Sequence, residues 1–319
     1  MNMKQFIKKN PVTQKWYLKM KKLKEAYEKK ERTSFHGKFI DRKKNREKMC
    51  MVLAGYKEFS YPAVLGRLKK FLDEDIDVCI ITSGKWSDVI NEICEINGWS
   101  YLSTKENDVS LVQNVAIIKH PQAKYIFKLD EDIFLTENYF KKMFNAYEKA
   151  CSENYNPGVI APLIPINGFG YLRILDKLGI INEYEKRFGK PKYSTTPKDP
   201  IQSNPAVAKF MWGEGGIVPT IDALNERFEK LGKDVIACPI RFSIGAIFFE
   251  RTIWEDMNYF RVVKGTNSLG VDEADMCNFC CFNSRPLMVT ENTVVGHLSF
   301  GPQNEEMKKY YEQHTDVFI

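Results

Sequence analysis

Between Lys124 and Phe134 the chain reads Lys-Tyr-Ile-Phe-Lys-Leu-Asp-Glu-Asp-Ile-Phe, and no other stretch restricts the fold as much. A β-branched and aromatic run climbs to Leu129, stops at three consecutive acids, Asp130, Glu131 and Asp132, and turns apolar again at Ile133, Phe134 and Leu135. The run has the composition of a buried strand. Three adjacent carboxylates at its end repel one another and lose hydration unless a cation sits among them. A hard divalent ion prefers oxygen ligands and bridges carboxylates to phosphates. The expectation is a strand end that holds Mn2+ or Mg2+ together with a phosphorylated ligand.

Around this stretch, strand and helix patterns alternate. Strands are expected at Met49–Ala54, Asp77–Thr82, near Trp99–Ser103 and at Tyr125–Leu129. Helices are expected between them, at about Tyr61–Leu72, Trp86–Asn97 and Val109–His120. Such repetition predicts an α/β fold with a mostly parallel central sheet and helices on both faces. Open sheets of this kind bind ligands beyond the carboxyl ends of their strands, where Gly55-Tyr56, Ser83-Gly84 and the acids all fall. The second half is less regular. It offers a strand-like run at Phe242–Glu250, helices near Thr252–Met257 and Asp272–Phe282, and short strands near Leu287–Val289 and Thr293–Gly296. Residues 189–218, rich in proline and glycine and holding Trp212, read as a flexible loop over a substrate site. The chain therefore divides into a basic extension (1–47), two halves of one domain (48–150 and 151–303) and a C-terminal helix or tail (304–319).

Charge is unevenly placed. Residues 1–48 hold 17 Lys and Arg against 5 Asp and Glu, a net +12, while the other 271 carry 30 against 36, a net −6. Within the basic segment Gln14–Lys30 predicts a helix, with Trp16, Met20, Leu23 and Tyr27 on one stripe among lysines. Such a helix either packs on the body or lies on an anionic membrane surface. Nucleic acid is not an expected partner, since no reading module accompanies the charge. No apolar stretch is long enough to span a bilayer and the N-terminus is too charged for a signal peptide, so a cytoplasmic place is expected, peripheral to the inner face of the membrane. The eight cysteines are irregularly spaced and mostly set in apolar surroundings, which fits reduced thiols. Cys277 and Cys280 form a C-x-x-C without the second pair or nearby histidines that structural zinc requires.

The order of strand, Gly-Tyr-Lys-Glu turn (residues 55–58), second strand and apolar run into Asp130-Glu131-Asp132 resembles the GT-A fold glycosyltransferases, the family 2 type in particular. The resemblance covers roughly residues 48–300, apart from the 165–218 region. Two later matches extend it: Ser243-Ile-Gly-Ala-Ile-Phe-Phe-Glu-Arg251, similar to that family's G-A-x-x-x-x-R strand, and Gly270-Val-Asp-Glu-Ala-Asp-Met276, similar to its Glu-Asp-x-Asp-Leu motif. The resemblance implies Asp130 and Asp132 as metal ligands, with Asp130 and Glu131 also at the donor. It makes Ala54, Gly55 and Tyr56 the base and ribose contacts, reached also by Ser83 and Gly84. Gln113-Asn114 resembles the family's Arg-Asn pair and puts Asn114 at the donor. His297, after a short strand, resembles the C-terminal histidine that completes the ion's coordination, a ligand type that favours manganese over magnesium. The catalytic base falls on Glu273 or Asp272, and the residues leave both open. Asp272 could equally be a helix N-cap.

The implied activity is a metal-dependent transfer of a sugar from a nucleotide-sugar, expected to be a UDP-sugar, to a hydroxyl of a saccharide or lipid-linked acceptor, with inversion. An ion would neutralise the diphosphate leaving group while a carboxylate takes the acceptor's proton. A sugar-phosphate nucleotidyltransferase shares the sheet but wants a Gly-rich basic loop after the first strand, where only one glycine stands. A non-enzymatic scaffold binding membrane or polyanions through residues 1–48 would leave the two acidic clusters without a purpose.

Overall fold

The computed structural model describes residues 11–231, 235–263 and 269–319. Its strands are β1 (Gly37–Ile40), β2 (Lys48–Ala54), β3 (Ile76–Ser83), β4 (Ser100–Thr104), β5 (Tyr125–Asp130), β6 (Ile133–Phe134), β7 (Val159–Leu163), β8 (Val235–Ala237), β9 (Ala246–Glu250), β10 (Leu287–Val294) and β11 (Gly296–His297). Every residue of β3 and β4 is buried, as expected for strands covered on both faces. Nine strands form one sheet in the order β1-β4-β3-β2-β5-β9-β7-β10-β8, and β6 pairs with β11 in a second, two-stranded sheet. The run β4-β3-β2-β5 is parallel throughout. Antiparallel β9 then separates β5 from β7, and β1 and β8 close the edges antiparallel. The fold is α/β, with a mixed, mostly parallel sheet flanked by helices.

The helices start and stop on local chemistry. Asp88–Asn97 begins where the Ser87 hydroxyl accepts the Ile90 N–H, and ends at Gly98 in the left-handed region. Val109–Lys119 begins where Asp108 accepts the Leu111 N–H at 2.8 Å. That helix is apolar almost all round because it packs against β2, β3 and β4. Tyr139–Ser152 covers β7, β8 and β10, and Ile221–Glu229 lies on β10.

Several expectations are corrected in detail. The strand expected from Phe242 starts only at Ala246, because residues 242–245 cross the end of β5 as irregular chain. The two short strands expected around 287–296 are one strand, β10, with a register shift between Thr290 and Val294, followed by β11. Residues 189–218 are not one long loop: Pro200–Ser203 and Pro205–Met211 are helical, each opened by a proline in its first turn. Trp212 is buried, donating from Nε1 to the carbonyls of His297 and Leu298 (3.0 and 3.3 Å) and packing on Phe134 and Phe318. All eight cysteines are free thiols.

The basic extension is helical from Pro11 to Thr33. Its last turns are anchored: Arg32 donates to the Asn258 carbonyl at 2.6 Å, and Asn114 donates to the Arg32 carbonyl at 2.9 Å. Trp16, Tyr17, Leu18, Met20 and Leu23 are all at least half exposed along the projecting part. No described helix is long and apolar enough to cross a membrane.

Candidate active site

The carboxyl ends of β2, β3 and β5 open into a cleft of about 700 Å³. Its near wall carries Ala54, Tyr56, Lys57, Ser83 and the three acids, and its far side carries Ser194, Thr195, Arg241 and Glu273. His297 closes the floor.

On the near wall, β2 turns at Gly55, whose φ of 132° excludes other residues at little strain. Gly84 turns the end of β3 with φ 73°, and a Cβ there would sit 2.8 Å from Asn107. Tyr56 is exposed, and its hydroxyl donates to Asn107 Oδ1 at 3.2 Å, the same oxygen that takes the Ser83 hydroxyl at 3.1 Å. Tyr56, Ser83 and Asn107 thus form one connected polar rim, of which Asn107 was not anticipated.

The three acids diverge. Asp130, at the end of β5, donates its N–H to the Gly245 carbonyl and sets its carboxylate 2.5 Å from the buried ammonium of Lys128. Burial pushes the Asp130 carboxyl up, against the opposing pull of Lys128. Glu131 is bound to the turn after β2. Its carboxylate accepts the N–H groups of Gly55, Tyr56 and Lys57, each at 2.9 Å, and the Tyr61 hydroxyl at 3.1 Å. Its oxygens thus hold the 55–57 turn in place, and the residue still lines the cleft where a donor contact was expected. Asp132 is buried, with Lys57 Nζ at 2.5 Å and His297 Nε2 at 3.4 Å from the same oxygen, Oδ2. Burial opposes its charge, but His297 and Lys57 prevail and hold the carboxyl well below the usual range. His297 arrives because β11 pairs with β6 directly after Asp132, in the register His297 to Ile133. Its Nδ1 faces the Ile166 carbonyl at 2.9 Å, so Nδ1–H donates there and Nε2 is left for Asp132. Burial would depress this imidazole, yet Asp132 lifts it above its ordinary value.

Across the cleft, Gly270 in the left-handed region opens the helix Val271–Phe282. Asp272 is therefore not its N-cap. Its buried carboxylate accepts Gln113 Nε2 at 2.8 Å and does not line the cleft. Glu273 does line it, paired with the Arg241 guanidinium, whose side chain is 67% exposed against 16% for Glu273. Burial raises the Glu273 carboxyl even against that arginine.

Asn114, expected at the donor, is buried and does not line the cleft. Nδ2 donates to the carbonyls of Arg32 and Phe260, and Oδ1 accepts Trp254 Nε1 and the Phe260 N–H. With every hydrogen-bonding group used inside the core, Asn114 clips the first helix to the 254–260 segment and contacts no ligand space. Lys57, Lys128 and Arg241 were the groups sequence reasoning passed over. The signal for Lys128 was present, since it shares a strand face with Asp130 two residues on.

No family model matches the chain, and no curated protein matches it. Among solved structures it is similar to the mannosyltransferase PcManGT of Pyrobaculum calidifontis in complex with GDP-Man and Mn2+, at 10% identity and TM-score 0.45. It is likewise similar to residues 1–349 of S. aureus TarS, at 11% identity and TM-score 0.44. The matches cover 86% and 85% of this chain but 64% of each of those, so the chain spans less than two thirds of the length of either.

Proposed function

We propose that the chain is a GT-A type glycosyltransferase that moves a sugar from a nucleotide-sugar, with UDP the expected nucleotide, to a hydroxyl of a saccharide or lipid-linked acceptor. One observation carries this reading: three elements far apart in sequence, the β2 turn, the β5 acids and Glu273, face one cleft at the carboxyl edge of a parallel sheet. Tyr56, Ser83 and Gly84 frame the nucleotide end. Glu273 is the base of choice over Asp272, because it faces the cleft and burial raises its proton affinity. The acceptor oxygen forms a bond to the anomeric carbon as the bond from that carbon to the diphosphate oxygen breaks. The departing diphosphate keeps the electron pair, and Glu273 receives the hydroxyl proton. A single base facing the leaving group across the cleft implies inversion.

The expectation of a divalent ion on Asp130, Asp132 and His297 meets a different arrangement. The donor atoms suit Mn2+ chemically, two carboxylates and an imidazole. Yet among the described residues no three His, Cys, Asp or Glu side chains are grouped so as to hold an ion. Asp130 is engaged by Lys128, and the oxygen shared by Asp132 and His297 is taken by the Lys57 ammonium. As the side chains stand, the site does not fit a metal, and no step is assigned to one.

Calorimetric titration of UDP and then GDP into the full chain tests the reading, followed by a donor-hydrolysis screen. Saturable binding of one nucleotide, and hydrolysis of its sugar conjugate, is the expected result; binding of neither would remove the proposal.

The projecting helix extends the reading to an enzyme held at an anionic membrane. Its first turns carry Lys15, Lys19, Lys21, Lys22 and Lys24 with no acid among residues 11–24, alongside exposed Trp16, Met20 and Leu23. Flotation with anionic but not neutral vesicles, weakened by Trp16→Ser with Leu23→Ser, is expected; equal recovery from both vesicle types would sink this part.

A further inference from the structure

The cleft keeps a cation of its own where the sequence pattern asks for a metal. The Lys57 ammonium lies 2.5 Å from Asp132 Oδ2, with His297 Nε2 on the same oxygen. Its place is fixed from behind, because Glu131 binds the backbone N–H of Lys57 itself and of the two residues before it, and the Ser60 hydroxyl donates to the Lys57 carbonyl at 2.8 Å. The odd acid of the triplet therefore positions the lysine, and the flanking acids receive lysines: Lys57 on Asp132, Lys128 on Asp130. The Lys128 side chain is sealed at 3% exposure, whereas that of Lys57 retains 20% and lines the cleft. One of the two cations is thus structural and the other faces the substrate space.

We infer that Lys57 takes the position and task of the divalent ion, so that a nucleoside diphosphate is held by this ammonium and binds without added metal. The inference rests on the nucleotide-sugar reading above. In the transfer step Lys57 faces the diphosphate oxygen that receives the electron pair of the breaking carbon–oxygen bond, and the acceptor proton still passes to Glu273. An ammonium supplies one positive charge and three N–H donors, suited to successive phosphate oxygens, and it releases product without metal exchange. Asp132 and His297 anchor the ammonium between turnovers.

Two readouts on the full chain test this: calorimetry of UDP and GDP in EDTA and then in millimolar Mn2+, and the paramagnetic resonance signal of free Mn2+ titrated with protein alone. Wild type is expected to bind nucleotide in EDTA within about threefold of its affinity in Mn2+, and to leave the Mn2+ signal undiminished. Lys57→Met should lose at least about tenfold in EDTA, the size of a missing charged hydrogen bond. It should also begin to sequester Mn2+, since no ammonium then occupies the oxygen that Asp132 shares with His297, while Lys57→Arg should restore metal-free binding. Thermal unfolding of each variant separates a lost contact from a lost fold. Nucleotide binding by wild type only in Mn2+, with Lys57→Met indistinguishable from it, would overturn the inference. If no nucleotide binds under any condition, the glycosyltransferase reading fails. The Mn2+ readout then still decides the lysine's place: sequestration gained in Lys57→Met supports it, and sequestration already present in wild type refutes it.

Discussion

The acids on the two sides of the cleft are neutralised in different ways, and the difference separates holding from reacting. On the β5 side the counter-charges come from within: Lys128 and Lys57 are largely buried, and Glu131 is satisfied by backbone N–H groups. On the far side Glu273 is covered by Arg241, which is two-thirds exposed and free to leave into solvent. A carboxylate with a buried partner has a constant charge and geometry. One with an exposed partner can be uncovered, which a base must be before it can take a proton.

Removing an internal partner should therefore cost stability, and the largest effect is expected at Lys128. Lys128→Met strands Asp130, itself partly open to the cleft, beside an apolar chain, and should lower unfolding free energy by about 3 kcal/mol in a urea titration. A change below about 0.5 kcal/mol would mean the pair is not the internal scaffold described. Glu273→Gln should do the reverse, cutting sugar transfer at least about 100-fold while nucleotide affinity and melting temperature hold steady. Retained turnover would return the base role to Asp272. Glu131→Gln places an amide N–H against three backbone donors, and a loss of about 2 kcal/mol with weakened nucleotide binding is expected. Unchanged thermal unfolding would show the 55–57 turn to be held by other means. The smallest effect belongs to Arg241→Ala. That arginine lowers the proton affinity of Glu273, so its removal should move the acid limb of the pH–rate profile to higher pH, with little change in stability. A limb moving to lower pH, or not at all, would break the comparison drawn here.

What the chain revealed of this in advance follows the range of the interactions. The four parallel strands and their helices were legible because β2, β3, β4 and β5 each carry a local pattern long enough to read, closed by glycine or acid. β1 and β7 were missed: β1 alternates weakly at an edge, and β7, Val-Ile-Ala-Pro-Leu, carries a proline that reads as a break. Asp130, Asp132, Glu273 and His297 stood out in the sequence and all four line the cleft, but their pairings were not legible. Lys57 meets Asp132 across 75 residues and Asn114 meets Trp254 across 140, and nothing local encodes either contact. Asn114 shows this in particular: it was singled out by the likeness of Gln113-Asn114 to a family pair, and its four hydrogen bonds all lie in the core.

Trp212 ties the 205–212 segment to the strand that carries His297. Its indole lies over Gly296, where a Cβ would come within 2.3 Å of the ring, and its N–H grips the backbone of His297 and Leu298. Trp212 caps the helix Pro205–Met211, which follows the short helix Pro200–Ser203 in the chain. A side chain at position 296 would push this indole off the backbone of His297 and Leu298, so the seat of the histidine beneath Asp132 depends on a glycine that does not itself line the cleft.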